Sequence, residues 1–169
     1  MKSIAFRPAE LGTPDNPGLD ARFVVDAWVA TYRNAKTAGM IAVEDWYAVM
    51  IPQVWKVLRR PDVQTIVAAI DGAVDRVADL IGFITVDADD DPPLVYYVFI
   101  KEHYRRGGRR IWPGPGAARQ LFEAAGVDPM KPFNYVCSTP MCRILERKIP
   151  MARWMPALGR FPKHERRKR

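Results

Sequence analysis

Cysteine is scarce in this chain: Cys137 and Cys142 are the only two among 169 residues. One possible pair does not make a disulfide framework, and its spacing matches no zinc motif. We therefore expect a reduced, cytoplasmic protein without a metal site. No apolar run approaches the roughly 18 residues of a membrane span, and the N-terminus lacks the apolar core of a signal peptide. These absences argue against secreted disulfide-rich proteins and against membrane proteins.

Two common phosphate-binding motifs are also missing. The sequence contains no G-x-x-x-x-G-K-[ST] and no G-x-G-x-x-G. The first would mark a P-loop, and the second a dinucleotide-binding fold. Any phosphate site in this chain must therefore be built from other residues.

Apolar and basic residues are plentiful, but they are distributed differently. Nearly half of the residues (49%) are apolar and 11% are aromatic, which predicts one domain with a proper core. The net charge of +7 comes from two segments. Residues 101–110 hold five Lys/Arg and one Glu, and residues 159–169 hold six Lys/Arg and one Glu. We expect a domain over 1–158 and a basic tail over 159–169.

Residue periodicity predicts a mixed order of strands and helices. A strand stops at Pro8, and helices follow over about 19–35 and from Glu44 to Arg60. Pro52 should kink or divide the second helix, unless it opens a further helix. The remaining predicted elements are strands at 63–71, 77–88 and 94–100, a helix at 116–125 capped by Gly126, a strand at 133–138, a helix from Pro140 to about Lys148 and an extended segment at 150–158. The order β-α-α-β-β-β-α-β-α-(β) predicts a single α+β (mixed α/β) domain with a mostly antiparallel sheet of about six strands.

A stretch rich in arginine and glycine, YRRGGRRIWPGPG, joins the 94–100 strand to the next helix. A helix N-terminus offers unpaired backbone N–H groups and the positive end of the helix dipole. Glycine lets the backbone approach a ligand, and arginine pairs with phosphate oxygens. This loop therefore predicts a phosphate or pyrophosphate site, with a solvated basic turn as the alternative.

The chain resembles the GNAT superfamily of acyl-CoA-dependent N-acyltransferases. The element order agrees with the family order, and the loop falls where the family has its motif Q/R-x-x-G-x-G/A. Arg105 and Gly108 match this motif, whereas Arg110 stands where Gly or Ala is expected. The resemblance implies an acetyl-CoA or other acyl-CoA cosubstrate. Its pyrophosphate would bind the loop backbone at Arg105, Arg106, Gly107, Gly108, Arg109 and Arg110, and its pantetheine arm would pair with the backbone of Val98, Phe99 and Ile100.

Two features depart from the family pattern. Five residues, IWPGP at 111–115, are inserted between the motif and the helix, so Gly114 and Gly116 become candidates for supplying the amides at the helix start. Leu145 stands near the position where the family often has a tyrosine that protonates the departing thiolate. The acid role would then pass to another residue or to solvent.

The resemblance places several candidate catalytic groups near the acyl site, and each has a structural alternative. Glu102 is a candidate base for the attacking amine, or a surface carboxylate paired with an arginine. His103 has a better intrinsic pKa for this role but is equally a loop residue. Tyr135 and Ser138 lie at the fifth strand, where Tyr135 could be core and Ser138 a helix N-cap. Trp112 lines the acceptor site or packs as a lid.

The sequence therefore predicts an N-acyltransferase that moves an acyl group from acyl-CoA to an amine by direct attack in a ternary complex. The acceptor would be a small molecule or a protein amine. One alternative is modification of nucleic-acid bases, as in the phage Mom-type adenine modifiers that are related to this superfamily. The basic loop and tail would then contact the nucleic acid. A second alternative is a non-catalytic GNAT-like binding or structural protein.

Overall fold

The computed structural model describes residues 3–33, 41–70, 77–102, 104, 116–136 and 152–154. The helix predicted from Pro140 and the basic tail lie outside these residues.

One six-stranded sheet forms the centre of the described structure, with its strands in the order of the sequence. Strands β1 to β4 pair antiparallel, whereas β4 with β5 and β5 with β6 pair parallel. The predicted meander and the mostly antiparallel sheet are therefore confirmed. The strands are β1 (Ile4–Pro8), β2 (Gln64–Ile70), β3 (Leu80–Asp87), β4 (Leu94–Ile100), β5 (Phe133–Tyr135) and β6 (Ala152–Trp154).

The first two helices agree with the sequence pattern except at one proline. Helix α1 spans Leu19–Arg33, and helix α2 spans Val43–Leu58 without a division at Pro52. Of the two effects predicted for Pro52, a division of the helix is wrong, whereas a kink stays a prediction. A proline removes the N–H that would bond the carbonyl four residues earlier. Here both Pro52 and Ala48 are exposed, so water can bond that carbonyl.

Helix α1 packs on one face of the sheet through aromatic side chains. Phe23 contacts Phe83 of β3 edge-on, with ring centroids 5.8 Å apart. Trp28 stacks on Tyr97 of β4 at 4.8 Å. Helix α2 packs against α1, where Trp46 Nε1 donates a hydrogen bond of 3.1 Å to the Val29 carbonyl. Trp28 and Trp55 belong to the core, and Trp46 is partly buried against it.

Helix α3 (Ala117–Ala124) covers the opposite face. Phe122 contacts Phe133 of β5, with centroids 5.1 Å apart, and Gln64 Nε2 donates to the carbonyl of Ala125. The helix ends in a Schellman motif: Gly126 N–H bonds the Glu123 carbonyl and Val127 N–H bonds the Phe122 carbonyl. The predicted role of Gly126 in ending the helix is confirmed, although it lies one residue beyond the cap.

Two of the predicted strands are longer than the strands in the structure. Residues Val77–Asp79 form a short 3-10 turn before β3, and β5 is shorter than the predicted strand at 133–138. The order of the described elements is β-α-α-β-β-β-α-β-β, since the segment before β6 lies outside them. The predicted α+β class with helices on both faces of one sheet is confirmed.

Candidate acyl-CoA site at strand β4

Strand β4 contains one extra residue at Tyr96. In the β3–β4 register, Thr85 is opposite Tyr97 and Val86 is opposite Val95, so Tyr96 has no counterpart on β3. Such a β-bulge bends the strand and increases its twist. The last β4–β5 pair in the described register, Val95 with Tyr135, lies immediately before the bulge. The bend of β4 at Tyr96 therefore comes directly after the last described pair with β5.

The second half of β4 presents its side chains alternately to the two faces of the sheet. Phe99 contacts Phe23 of α1, with centroids 5.9 Å apart, so it faces α1. Val98 and Ile100 alternate with Phe99 and therefore face the α3 side. Val98 is partly exposed, and Ile100 is buried.

Tyr135 shares the α3 face with Val98 and Ile100. Phe133 contacts Phe122 of α3, and Tyr135, two residues further along β5, faces the same way. Tyr135 is only 2% exposed and belongs to the core. The structure thus brings three of the predicted site residues to one face of two adjacent parallel strands.

Helix α3 points its N-terminus toward the end of β4. Its C-terminal residue Ala125 bonds Gln64 at the start of β2, and the start of β2 lies at the same end of the sheet as the start of β4. Gly116, a predicted site residue, is the N-cap at the other end of α3. The first backbone amides after Gly116 are donors that an α-helix leaves without an internal acceptor. The positive end of this helix therefore lies on the side to which β4 runs.

Glu102 follows β4 by two residues and is exposed. Its predicted role as a base stays a prediction, as do the roles of Tyr135 and Ser138. Several other predicted residues lie outside the described part of the chain: Arg105, Arg106, Gly107, Gly108, Arg109, Arg110, Gly114, Ser138, His103, Trp112, Leu145, Cys137 and Cys142.

Lys101 belongs to the basic segment 101–110 in the sequence, but in the structure it has a structural role. Its Nζ donates hydrogen bonds to the carbonyls of Val77 (2.8 Å) and Ala78 (3.2 Å) and lies 5.1 Å from the ring centroid of Phe23. Desolvation lowers the pKa of Lys101, and the nearby Asp79 carboxylate partly offsets that effect. The ammonium group of Lys101 therefore stabilises the turn before β3.

Sequence reasoning missed the contacts that hold the bulge. Tyr96 is buried, and the Arg60 guanidinium carbon lies 5.6 Å from its ring centroid. Arg60 also forms two hydrogen bonds with Asp62. Nothing in the run LVYYVFI distinguishes Tyr96 from Tyr97, because a bulge depends on the register with a second strand. No local signal could have identified this contact.

Neither a metal cluster nor a membrane helix is found in the described ranges. No group of three or more His, Cys, Asp or Glu residues there has an arrangement that could hold a metal ion. None of the helices in these ranges is long and apolar enough to cross a membrane.

Comparison with known proteins gives structural neighbours and no sequence relatives. No family model and no curated protein matches the chain. The chain is similar to the aminoglycoside N-acetyltransferase AAC(6')-Iy in complex with CoA: the identity is 12%, the TM-score is 0.46, and 96% of this chain and 97% of that chain are covered. It is also similar to the PaiA N-acetyltransferase from Thermoplasma acidophilum in complex with coenzyme A, with 13% identity, a TM-score of 0.41 and coverage of 90% and 78%.

Both neighbours are N-acetyltransferases by name. The order and pairing of the elements themselves define the fold of this chain. The described order up to β5, the antiparallel β1–β4 sheet and the parallel β4–β5 pair agree with the order that the sequence resemblance implies. The described fold is a mixed α+β sheet with helices on both faces.

Proposed function

We propose that this protein binds an acyl-CoA and transfers its acyl group to an amine. The observation that supports this proposal is the bulge in β4 directly after the last recorded pair with the parallel strand β5. We place a ligand cleft in the middle of the sheet, where the two strands would separate beyond this pair. Clefts at such positions are common ligand sites in α/β folds.

An extended pantetheine arm is suited to the second half of β4. Its two amide groups can pair with strand backbone groups, as an added strand would. Val98 and Ile100 supply an apolar surface on the α3 face for the rest of the arm. The proposal therefore assigns the arm to the backbone of Val98, Phe99 and Ile100.

The pyrophosphate is assigned to the segment that follows β4. In sequence, this segment supplies Arg105, Arg106, Arg109 and Arg110 between β4 and Gly116. The N-terminus of α3 points to the same end of the sheet, so its dipole favours an anion there. Arginine donors and helix amides together match the two phosphate groups of CoA.

The reaction requires three changes at the acyl group. The neutral amine nitrogen attacks the thioester carbonyl carbon, and the resulting oxyanion is stabilised by a backbone N–H. The C–S bond then breaks, and CoA leaves as a thiolate that takes up a proton. The attacking nitrogen loses a proton to a base, for which Glu102 is the candidate, directly or through water. Tyr135 of β5 and, from the sequence, Ser138 are the further polar candidates.

Titration calorimetry with CoA and acetyl-CoA tests the proposal. We expect binding in the micromolar range, and the double variant Arg105→Ala/Arg106→Ala should weaken it about tenfold or more, because two charged donors to phosphate are lost. The matched control is Lys56→Ala/Arg59→Ala, which removes the same charge from exposed positions at the far end of α2. The control should bind as the original protein does.

Two results would contradict the proposal in different ways. Absence of binding at millimolar CoA would remove acyl-CoA as cosubstrate and leave the non-catalytic alternative. Equal weakening in both double variants would show that net charge, not a pyrophosphate site, drives the binding. If CoA binds, release of free CoA thiol in the presence of a panel of amines identifies the acceptor.

A further inference from the structure

Tyr96, the extra residue of β4, is fixed by a contact with the loop between α2 and β2. Its side chain is 6% exposed, and the Arg60 guanidinium carbon lies 5.6 Å from the centre of its ring. A guanidinium at this distance from an aromatic face is attracted by the ring quadrupole, and more strongly where water is excluded. The bulge is thus held by a residue that is remote in sequence.

Arg60 itself has a fixed position. Its Nε and Nη2 donate hydrogen bonds to the two carboxylate oxygens of Asp62, at 3.1 and 2.5 Å. Its backbone N–H bonds the Val57 carbonyl in the last turn of α2, and its carbonyl accepts a bond from Val63 N–H just before β2. The guanidinium is therefore oriented by a bidentate ion pair on a loop that is anchored at both ends.

The residue after the bulge is fixed from the other helix. Tyr97 stacks on Trp28 of α1 at 4.8 Å, with an interplanar angle of 14°, and contacts Phe83 of β3 at 5.8 Å. Consecutive residues of β4 are thus held by different elements, Tyr96 by the α2–β2 loop and Tyr97 by α1. A bulge tethered on both sides has little freedom to change its bend.

We propose that the Arg60–Tyr96 contact is a positioning device for the second half of β4. It sets the direction in which Val98, Phe99 and Ile100 leave the bulge. Because these are the residues proposed to pair with the acyl-CoA arm, the contact would tune acyl-CoA binding without touching the ligand. The effect on the direction of β4 is independent of the proposed function, whereas the effect on acyl-CoA affinity rests on it.

The test compares disruptive and conservative variants at both ends of the contact. Tyr96→Leu and Arg60→Met remove the ring or the charge, while Tyr96→Phe keeps both partners of the cation–π pair. Arg60→Lys keeps the charge but loses the bidentate pair with Asp62, so we expect an intermediate effect. We expect Tyr96→Leu and Arg60→Met to shift the backbone amide signals of residues 98–100 and to speed their hydrogen exchange. They should also weaken CoA binding about fivefold or more, and Tyr96→Phe should stay within about twofold.

Val127→Ala is the control for a general loss of stability. Val127 is buried just after α3, where its N–H bonds the Phe122 carbonyl, at the end of the sheet where β4 begins. It should lower stability without shifting the amides of residues 98–100, which lie at the other end of β4. The proposal is overturned if Tyr96→Leu leaves those amides unchanged, or if Val127→Ala shifts them as strongly. If the original protein binds no CoA, the proposed function fails, and the amide signals still decide the positioning role.

Discussion

Asp20 is a charged side chain inside the core, with 1% of its surface exposed. It accepts two hydrogen bonds from the Arg7 guanidinium and one of 2.8 Å from the backbone N–H of Glu10. These bonds tie α1 to β1 and to the chain that follows it. Asp20→Ala leaves both donors without their acceptor, and we expect it to lower the free energy of unfolding by about 2–3 kcal/mol in urea denaturation.

Asp26→Ala is the control for this prediction, because Asp26 lies on the same helix but is exposed. Its effect should stay within about 0.5 kcal/mol. Equal losses in the two variants would mean that the effect comes from helix α1 itself and not from the ion pair with Arg7.

The hydroxyl of Tyr96 contributes less to the stability of the fold than its ring does. Within the described residues the hydroxyl oxygen is buried and has no hydrogen bond of good geometry; burial is the main cause that raises the pKa of Tyr96, and the nearby Arg60 guanidinium lowers it. A buried polar group without a partner costs free energy, so Tyr96→Phe should be neutral or stabilising by up to about 1 kcal/mol. Thermal unfolding measures this. A loss of more than about 1 kcal/mol would indicate that the hydroxyl has a partner such as a bound water.

At the scale of elements, Gly126 ends helix α3 with a φ of +73°. An added Cβ would meet no atom within 4 Å, so a substitution there strains only the backbone. Gly126→Ala should therefore cost about 1 kcal/mol in chemical denaturation, the usual cost of a left-handed conformation with a side chain. CoA affinity should be unchanged, because the variant weakens the end of α3 that is remote from Gly116.

Gly82 differs from Gly126: a side chain at Gly82 is limited by the space around it and not by the backbone φ. It lies opposite Ile100 in the β3–β4 register, and a Cβ would come within 2.4 Å of the Phe99 carbonyl oxygen. Gly82→Ala must push β4 away at two of the residues assigned to the acyl-CoA arm. We expect a stability loss of about 2 kcal/mol and, unlike in Gly126→Ala, a weaker CoA affinity. Unchanged affinity in Gly82→Ala would argue against placing the arm beside Phe99 and Ile100.

Over the whole molecule, the sequence predicted those features that depend on local pattern. Strands β2 to β4 follow from β-branched and aromatic runs bounded by turn residues, and Gly126 marked the end of α3 because few residues other than glycine adopt its φ. The predicted division of α2 at Pro52 was wrong, because the proline lies inside one helix, on its exposed side. Which side of a helix is exposed is a property of the packed molecule and is not encoded at the proline.

The candidate site was predicted from the family resemblance, as backbone positions at Val98, Phe99 and Ile100 and as the candidate side chains Glu102, Tyr135 and Ser138. The structure places Val98 and Ile100 on one face with Tyr135. The bulge at Tyr96 and its contact with Arg60 could not be predicted, because they arise from pairing and packing between segments about 35 residues apart. For the same reason, the ion pair between Arg7 and Asp20 had no signal in the spacing of the two residues.

The pH dependence of stability should report on the Arg60–Asp62 ion pair, which orients the guanidinium that contacts Tyr96. The Arg60 hydrogen bonds are the largest cause that lowers the pKa of Asp62 below 3.8. A carboxyl group with a lowered folded-state pKa stabilises the fold above its unfolded pKa and loses that contribution as the pH falls through the folded value. Asp62→Asn should thus be less stable than the original protein at pH 6, and the difference should close below pH 3.8. Urea denaturation of the Arg60→Met/Asp62→Asn cycle measures this: the coupling free energy should be present at pH 6 and vanish in acid. A coupling that persists in acid would mean that Arg60 and Asp62 interact through packing and not through charge.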